Sequence, residues 1–529
     1  MLGFNHDKEV LDRVREVIEN APRIVFHNAK FDLVSLMTLK INFTGEFYDT
    51  ALMAYLINEN WPYSKKLGEL TKSYIGPEVH KEMSPWLREY INTFGWGMVP
   101  SEYMYSYATT DAHITLLLLK ALWNKYHQES TAEIWVHKQK LTRVVMRMEK
   151  HGVKVDVEHC QWLIDQGEQV LAEIFEFLDF NAMSSKQKEK FFIQEMGLPV
   201  LKYTDKGMAS FTKDVMPEYE RMLEDHFPGD ERVQKILTYM GWKQSIGLFY
   251  RPWIELCSPD GRLRTNYRIY KDDDGGTTTG RLSSQKPNLQ QIPKVTNKEW
   301  NKEVKFCLIA EEGYILIEAD YAQLELRLAV AYAGEEGLKK VFNEDRDIFE
   351  EMSVQLNMTR DNTKTFVYST QYGAGNNRIS TVFNISMAQA QKIRNTYFET
   401  YRGFARFAEE CRAKALHNRR VRIWSGRYRH FTRDVENEAH KAMNSVIQGG
   451  AADIVERIMV KCDETFVNDN ECRMLLQIHD ALIFEVRLDK LDYYLQQIKS
   501  TMESVNEIKD FGVKFAVDIH VLGSKKKLL

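Results

Sequence analysis

The apolar positions change their rhythm several times along the chain. Near the start, Arg23-Ile24-Val25-Phe26 reads as a strand, His27-Asn28-Ala29-Lys30 as a turn, and Phe31, Leu33, Val34 and Leu36 as the apolar side of a helix. Strand followed by helix is the local grammar of an α/β domain. Over 130–150 the period is purely helical: Leu141, Val144, Val145 and Met148 fall at i, i+3, i+4, i+7, and Gly152 supplies a stop. A domain boundary is expected between about 126 and 150. The stretch 156–255 is rich in Lys and Glu and mostly helical, which predicts a projecting helical subdomain. Its Lys186, Lys188 and Lys190 read first as a solvated face and only second as phosphate contacts. Beyond 256, strand-like runs (314–317, 473–478 and 481–486) lie on either side of a charged helical block over 335–420. A sheet interrupted by a helical insertion predicts one platform with a second subdomain growing from it.

Two acidic residues stand where strand patterns end. The run Ile315-Leu316-Ile317-Glu318-Ala319 ends on Asp320, and a helical pattern through Leu324, Leu326, Leu328 and Ala329 follows at once. Asp480 lies with His479 between two apolar strands, at the turn of a predicted hairpin. One Asp at a strand end is ordinarily a turn or cap residue. Two on neighbouring strands can share hard cations, because Mg²⁺ takes one or two protein carboxylates and completes its octahedron with phosphates and water. Between them, Arg360, Lys364, Tyr368 and Tyr372 recur every four residues and form one stripe on a helix ended by Gly373 and Gly375. A core face would not carry the cations and a solvated face would not need the rings. The stripe suits a nucleoside triphosphate laid lengthwise, with phosphates on Arg360 and Lys364 and the base against the rings.

Composition narrows the classes. A length of 529 residues is too long for one core and implies two to four domains. With 44% hydrophobic and 28% charged residues and a net charge of −4, the chain reads as globular, and a nucleic-acid partner would need a local basic groove. The six cysteines (Cys160, Cys257, Cys307, Cys411, Cys462, Cys472) show no metal-ligand spacing and suit a reducing, cytoplasmic setting. No apolar run approaches membrane-spanning length, and the first ten residues do not read as a signal peptide.

The motifs together resemble those of family A DNA polymerases, the polymerase-I-like group, and above all their phage replicative members. Asp320-Tyr321-Ala322-Gln323-Leu324-Glu325-Leu326-Arg327 is similar to the first metal motif, Arg360 to Gly373 to the fingers motif, and Gln477-Ile478-His479-Asp480-Ala481 to the third. Thr279-Gly280-Arg281-Leu282-Ser283-Ser284 and the run Pro287 to Pro293 match a fourth. The resemblance implies an α/β and α+β multidomain chain shaped as a right hand: thumb 157–255, palm 256–334 and 421–529, fingers 335–420, with 126–156 a connecting helix and the start of the polymerase part. It implies that a primer 3′-oxygen attacks the α-phosphate of a dNTP, releasing pyrophosphate. Asp320 and Asp480 would hold two Mg²⁺ ions with the Tyr321 carbonyl. Lys364 would neutralise or protonate the pyrophosphate and Arg360 would hold the γ-phosphate. Gln323, Glu325, Tyr368 and Tyr372 would surround the nucleotide, with Glu325 where a ribose 2′-OH would project. Arg281, Asn288, Gln290, Gln448, Gln477 and His479 would line the primer–template duplex. Tyr at 368 resembles the phage version and predicts weak discrimination against dideoxynucleotides.

Residues 1–125 resemble the family's 3′–5′ exonuclease, an RNase-H-like domain. Asn28-Ala29-Lys30-Phe31-Asp32 is similar to its second motif, Tyr107-Ala108-Thr109-Thr110-Asp111 to its third, and Asp49-Thr50 fits a structural position. Its first motif, D-x-E on an early strand, is not read before Asn28. The domain is therefore expected to be N-terminally incomplete and Asp32, Tyr107 and Asp111 a remnant, whether through truncation, a strand from another polypeptide, or loss of proofreading. Further departures are Ala481 for Glu, Phe349 for His, Ser369 for Gly and Gln291 for Asn. The stretch from Ser185 to Gly280 leaves no room for a thumb-inserted processivity-factor site, and a monomer is expected. The rivals are a single-subunit RNA polymerase, opposed by Glu325, and a degenerate DNA-binding protein, opposed by the survival of Asp320, Asp480, Arg360 and Lys364.

Overall fold

The structure is a computed structural model that describes residues 8–79, 83–178, 180–212, 215–273, 275–293, 298–432 and 434–522. Its strands in chain order are β1 (Arg23–Phe26), β2 (Glu46–Asp49), β3 (Val153–Val155), β4 (Arg262–Leu263), β5 (Asn266–Arg268), β6 (Ser283–Gln285), β7 (Leu308–Ile309), β8 (Tyr314–Tyr321), β9 (Arg420–Arg422), β10 (Tyr428–His430), β11 (Cys472–Ile478), β12 (Ala481–Arg487) and β13 (Val517–Val521). The central sheet has the order β11-β12-β8-β13, antiparallel throughout. Its two middle strands are thus separated in sequence by the whole helical block, as the strand pattern predicts.

Period-2 alternation gives this sheet two different faces. Ile317, Ala319 and Tyr321 on β8 and Leu482, Phe484 and Val486 on β12 point to one side. There they join the buried side chains of the helices Ala132–His151, Ala442–Thr465 and Leu491–Glu503. Leu316 and Ile483 point to the other side and pack with the helices Val157–Leu178 and Glu231–Ser245. At the far end of that second face stand Asp320, half-buried, and Ala481, buried. A third core holds the helices Ile348–Leu356, Arg360–Gln371, Met387–Thr400 and Arg402–Asn418 against the buried helix Leu324–Ala333.

The boundary expected between 126 and 150 is not a break in packing. The helix Ser101–Glu129 ends just inside it, and its Leu118 and Leu122 share one core with Leu52–Ile57 and with Ile317, Ala319 and Ile454 of the central sheet region. The helix Ala132–His151 is buried on two sides. Leu141, Val144, Val145 and Met148 face the large core, while Met146 faces Ala29, Leu33, Phe43 and Phe47. Lys138, buried in the same helix, is held by Glu456 at 2.6 Å. The periodic reading saw one apolar stripe and so took this helix as a connector, whereas it is a shared wall. Among the described residues no helix is long and apolar enough to cross a membrane.

Candidate active site

Asp320 occupies the penultimate position of β8. In register it stands opposite Ala481 of β12 on one flank and Asp518 of β13 on the other. Registered cross-strand pairs project to the same face, so a small side chain and a second carboxylate border Asp320. Asp480 sits in the two-residue hairpin between β11 and β12, and the Tyr321 N–H donates to its carbonyl at 3.4 Å. The two carboxylates thus meet at the same end of adjacent strands. Each is accompanied by a residue forced into left-handed backbone: Gln323 (φ 55°) turns β8 into the next helix, and His479 (φ 56°) turns the hairpin. Non-glycine residues there are uncommon and strained, and fix the direction in which neighbouring side chains leave the sheet.

A chain of contacts runs from this pair to the end of the helix Arg360–Gln371. Arg281 lies 4.0 Å from the Asp480 carboxylate and is ion-paired with Glu325, which is almost fully buried. The Tyr372 hydroxyl donates to the other Glu325 oxygen at 2.9 Å. Burial first, and then Glu325, push the Tyr372 phenol well up, so it remains a donor. Tyr368, pushed up to about 12 by burial and then by the charges of Glu325 and Asp480, lies one helical turn back. Arg281, expected from sequence at the duplex, thus bridges Asp480 and Glu325, the latter expected from sequence at the nucleotide.

The predicted stripe is present, with its two halves in different surroundings. Thr363, Phe366, Val367 and Thr370 bury one side of the helix Arg360–Gln371 and leave the stripe on the other. Arg360 is bonded to Asp347 at 2.6 and 2.8 Å and lies over the Phe349 ring. Burial would push Asp347 up, but the Arg360 hydrogen bond and the amides of Phe349 and Glu350 outweigh it and hold the carboxyl below its ordinary range. Phe349, noted as replacing a His, also packs on Tyr368 with ring centroids 5.8 Å apart. Lys364 is exposed, and the described residues give it no ion pair.

The predicted duplex-lining residues form a second network. Asn288 accepts from the Ser284 hydroxyl at 2.9 Å, Gln290 donates to the Gln477 side chain at 2.7 Å, and Gln477 donates to the His479 carbonyl. Tyr267, which sequence reading missed, donates its hydroxyl to the Gln477 carbonyl and accepts from the Gln477 N–H. Gln448 lies half-buried on the helix Ala442–Thr465, away from this network's bonds. Behind it, Gly280 (φ 92°) leaves the space taken by Arg427, whose guanidinium a Cβ would meet at 2.5 Å. Buried Arg427 donates to the Thr279 carbonyl at 2.7 Å and pairs with Asp453 at 3.1 Å.

The pair Asp320 and Asp480 suits Mg²⁺ in its donor chemistry: both are hard oxygen ligands and half-buried. Among the described residues no group of three or more His, Cys, Asp or Glu side chains is arranged to hold a metal. Two carboxylates are the number Mg²⁺ needs when substrate phosphates and water supply the rest.

The N-terminal residues are arranged differently. Here β1 and β2 pair in parallel. Asp49 is buried and accepts four backbone amides, from Asn28, Ala29, Ala51 and Leu52. It therefore ties together the starts of two helices, and its burial outweighs those bonds and raises its pKa. Asp32 is pushed up to about 6 by burial and then by Asp49. Tyr107, on the helix Ser101–Glu129, is pushed up to about 12 by burial and then by Asp111. One expectation needs correction in its letter: Asp7-Lys8-Glu9 does spell D-x-E ahead of Asn28. Asp7 lies outside the described residues, and Glu9 is exposed on the helix Lys8–Glu19 rather than on a strand. Asp518 was the other oversight. The alternation Val517-Asp518-Ile519-His520-Val521 is the signal that could have found it.

With the geometry in place, comparison with known proteins is informative. Residues 157–525 match the model of DNA polymerase family A, and residues 3–127 match a 3′–5′ exonuclease model. The thermostable DNA polymerase I of Thermus aquaticus is 30% identical over 415 residues, covering 73% of this chain and 48% of its own length. DNA polymerase I of Pseudomonas aeruginosa is 27% identical over 523 residues, covering 93% of this chain and 56% of its own. The chain thus spans about half the length of these curated relatives. Among solved structures, the POL domain of Pol1 from M. smegmatis, in complex with DNA primer-template and dNTP, superposes with a TM-score of 0.82 at 23% identity, over 98% of this chain and 89% of that one. That likeness shows a shared polymerase fold. The family model covers well over half of the sequence, and the chain belongs to the family A DNA polymerases.

Proposed function

We propose that the chain is a DNA-templated DNA polymerase that extends a primer 3′-OH with dNTPs, and that Asp320 and Asp480 hold two Mg²⁺ ions with the Tyr321 carbonyl. The observation that carries the reading is the unbroken path from Asp480 through Arg281 and Glu325 to Tyr372 at the end of the fingers helix. When bound, the ions would supply charge neutralisation at the attacking and leaving oxygens. The rest of the task is positioning. Arg360 and Lys364 are on the helix face that would meet the triphosphate, with Arg360 leaving Asp347 to do so. Glu325 closes the site on the side where a ribose 2′-OH would project, which favours dNTPs over rNTPs. Asn288, Gln290, Gln477 and His479 would hold the primer–template without reading its sequence.

In this reading 157–255 is the thumb, 256–334 and 421–529 the palm, and 335–420 the fingers. The chain works as a cytoplasmic monomer without an inserted thumb segment. Tyr368 supports a phage replicative type. The N-terminal remnant gives little proofreading, because its D-x-E spelling falls on no described strand and Asp49 is engaged by four amides.

Primer extension tests the proposal. Extension with dNTPs and Mg²⁺ that is lost in Asp320→Asn supports it. Absence of extension by the wild-type chain, or equal use of rNTPs, overturns it.

A further inference from the structure

A cavity of about 890 Å³ lies away from Asp320 and Asp480, between the N-terminal region and the β9–β10 hairpin. Its walls carry five cations, Lys125, Lys414, Arg419, Arg420 and Arg422, against one carboxylate, Glu129. Glu129 is already ion-paired with Arg420. Among the described residues no carboxylate pairs with Lys125, Lys414, Arg419 or Arg422. Four unneutralised cations around one cleft repel one another, and that repulsion is relieved by a polyanion.

The other lining groups are flat rings. Trp61 is 53% exposed and set edge-on to Tyr74 at 5.4 Å, and Lys125 caps the other ring at 4.8 Å. The Tyr74 hydroxyl has no hydrogen-bond partner among the described residues, and burial pushes it up to about 12, so it is a donor in waiting. Tyr428 lies beneath the guanidinium groups of Arg420 and Arg422, at 4.3 and 6.0 Å. Cations that follow a backbone, interleaved with rings on which bases stack, are the equipment of single-strand binding. An acidic peptide would need the cations and not an exposed indole.

The groove is built before any ligand arrives. Buried Glu59 accepts from Arg429 at 2.6 Å, from the His430 N–H at 2.7 Å and from the His430 ring at 2.9 Å. Asn60 donates to the His430 carbonyl at 2.8 Å. These bonds pin the two walls together. The same hairpin reaches toward Arg281, because Arg427 donates to the carbonyl of Thr279, two residues before it in the chain, and to that of Gly449.

We propose that this groove binds single-stranded DNA, namely the template ahead of the point of copying. The identity of the strand rests on the polymerase reading; the binding itself does not. The test measures affinity of the full chain, by fluorescence anisotropy without dNTPs, for primer–templates with a short and a long 5′ template overhang. The long overhang is expected to bind about tenfold tighter, with a steeper salt dependence. The triple variant Lys414→Gln, Arg419→Gln, Arg422→Gln should lose that gain and about two units of salt slope, at roughly 0.7 per phosphate contact on single strands. Trp61→Ala should lose the gain without the change in slope, which separates stacking from charge. Equal affinity for both DNAs in the wild type, or an undiminished gain in the triple variant, overturns the proposal. So does a polyglutamate peptide that binds the groove while no overhang gain exists. Normal extension of the short-overhang DNA with no overhang gain removes only the groove. An intact gain with no extension removes only the polymerase reading.

Discussion

The polymerase centre and the N-terminal region are built from the same parts and put them to different uses. Each has carboxylates at the ends of strands and at the starts of helices. In the centre, Asp320 and Asp480 sit on adjacent antiparallel strands, half-buried, with Arg281 at 4.0 Å from one of them. In the N-terminal region, Asp49 is buried and serves four amides, while Asp32 is pushed up to about 6 by burial and then by Asp49. A half-buried carboxylate whose oxygens are not consumed by backbone amides is available to a metal. One wrapped in amides is a structural joint. The residue type is the same, and the surroundings decide.

The sharpest test of that contrast replaces one carboxylate in each region. Asp320→Asn or Asp480→Asn is expected to lower primer extension about a thousandfold or more, while Asp32→Asn leaves extension unchanged and removes little excision of a mismatched primer end. Strong excision lost in Asp32→Asn would make the two regions alike. Next in size is the shared core. Leu122→Ala, deep in the N-terminal part of that core, is expected to cost about 2–5 kcal/mol and to lower the temperature of polymerase inactivation. An unchanged inactivation midpoint would show two independent domains.

A smaller effect concerns Tyr368. Tyr368→Phe removes a hydroxyl facing Glu325 and Asp480 and is expected to strengthen rejection of dideoxynucleotides about tenfold, the loss of one buried hydrogen bond. Unchanged terminator incorporation would end the phage-type reading.

The smallest effect is a pH dependence with two opposing signs. Burial pushes the His27 imidazole down from 6.5 to about 4, so acidification below 6.5 favours the unfolded chain, which accepts that proton first. Asp32 is raised from 3.8 to about 6, so over the same window the folded chain accepts a proton first and gains stability. The wild type should therefore respond weakly between pH 6.5 and 4. His27→Gln should melt a few degrees higher at pH 5 than at pH 7, and Asp32→Asn a few degrees lower. Identical acid profiles for all three proteins would show that these buried groups do not titrate this way.

Much of the centre was legible in the sequence because its strands alternate with period two and its helix stripe recurs every four residues. What could not be read were side-chain partnerships across the fold. Nothing near Arg360 in the helical pattern says that Asp347 holds it, and nothing near Glu325 says that Arg281 and Tyr372 converge on it. The stripe Leu141, Val144, Val145, Met148 shows that its helix is buried, and a one-sided pattern gave no sign that Met146 is buried on the opposite side. The N-terminal motifs were legible as spellings, but whether a spelled carboxylate is free depends on amides that only the tertiary structure brings to it.

The strand order also sets a schedule for biosynthesis. β1 and β2 pair within a short stretch and can form as soon as both have left the ribosome. β8, which carries Asp320, is made long before either of its neighbours, and its partner Val521 on the β13 side emerges 200 residues after Tyr321. At about 5–20 residues per second that is a delay of roughly 10–40 s. During it, an apolar strand waits with both edges unpaired until β12 is made, and with one edge unpaired until β13 follows. The nascent chain should therefore depend on chaperone shelter over this interval; Asp320 and Asp480 can come together once β12 pairs with β8, and Asp518 joins Asp320 only with the last strand.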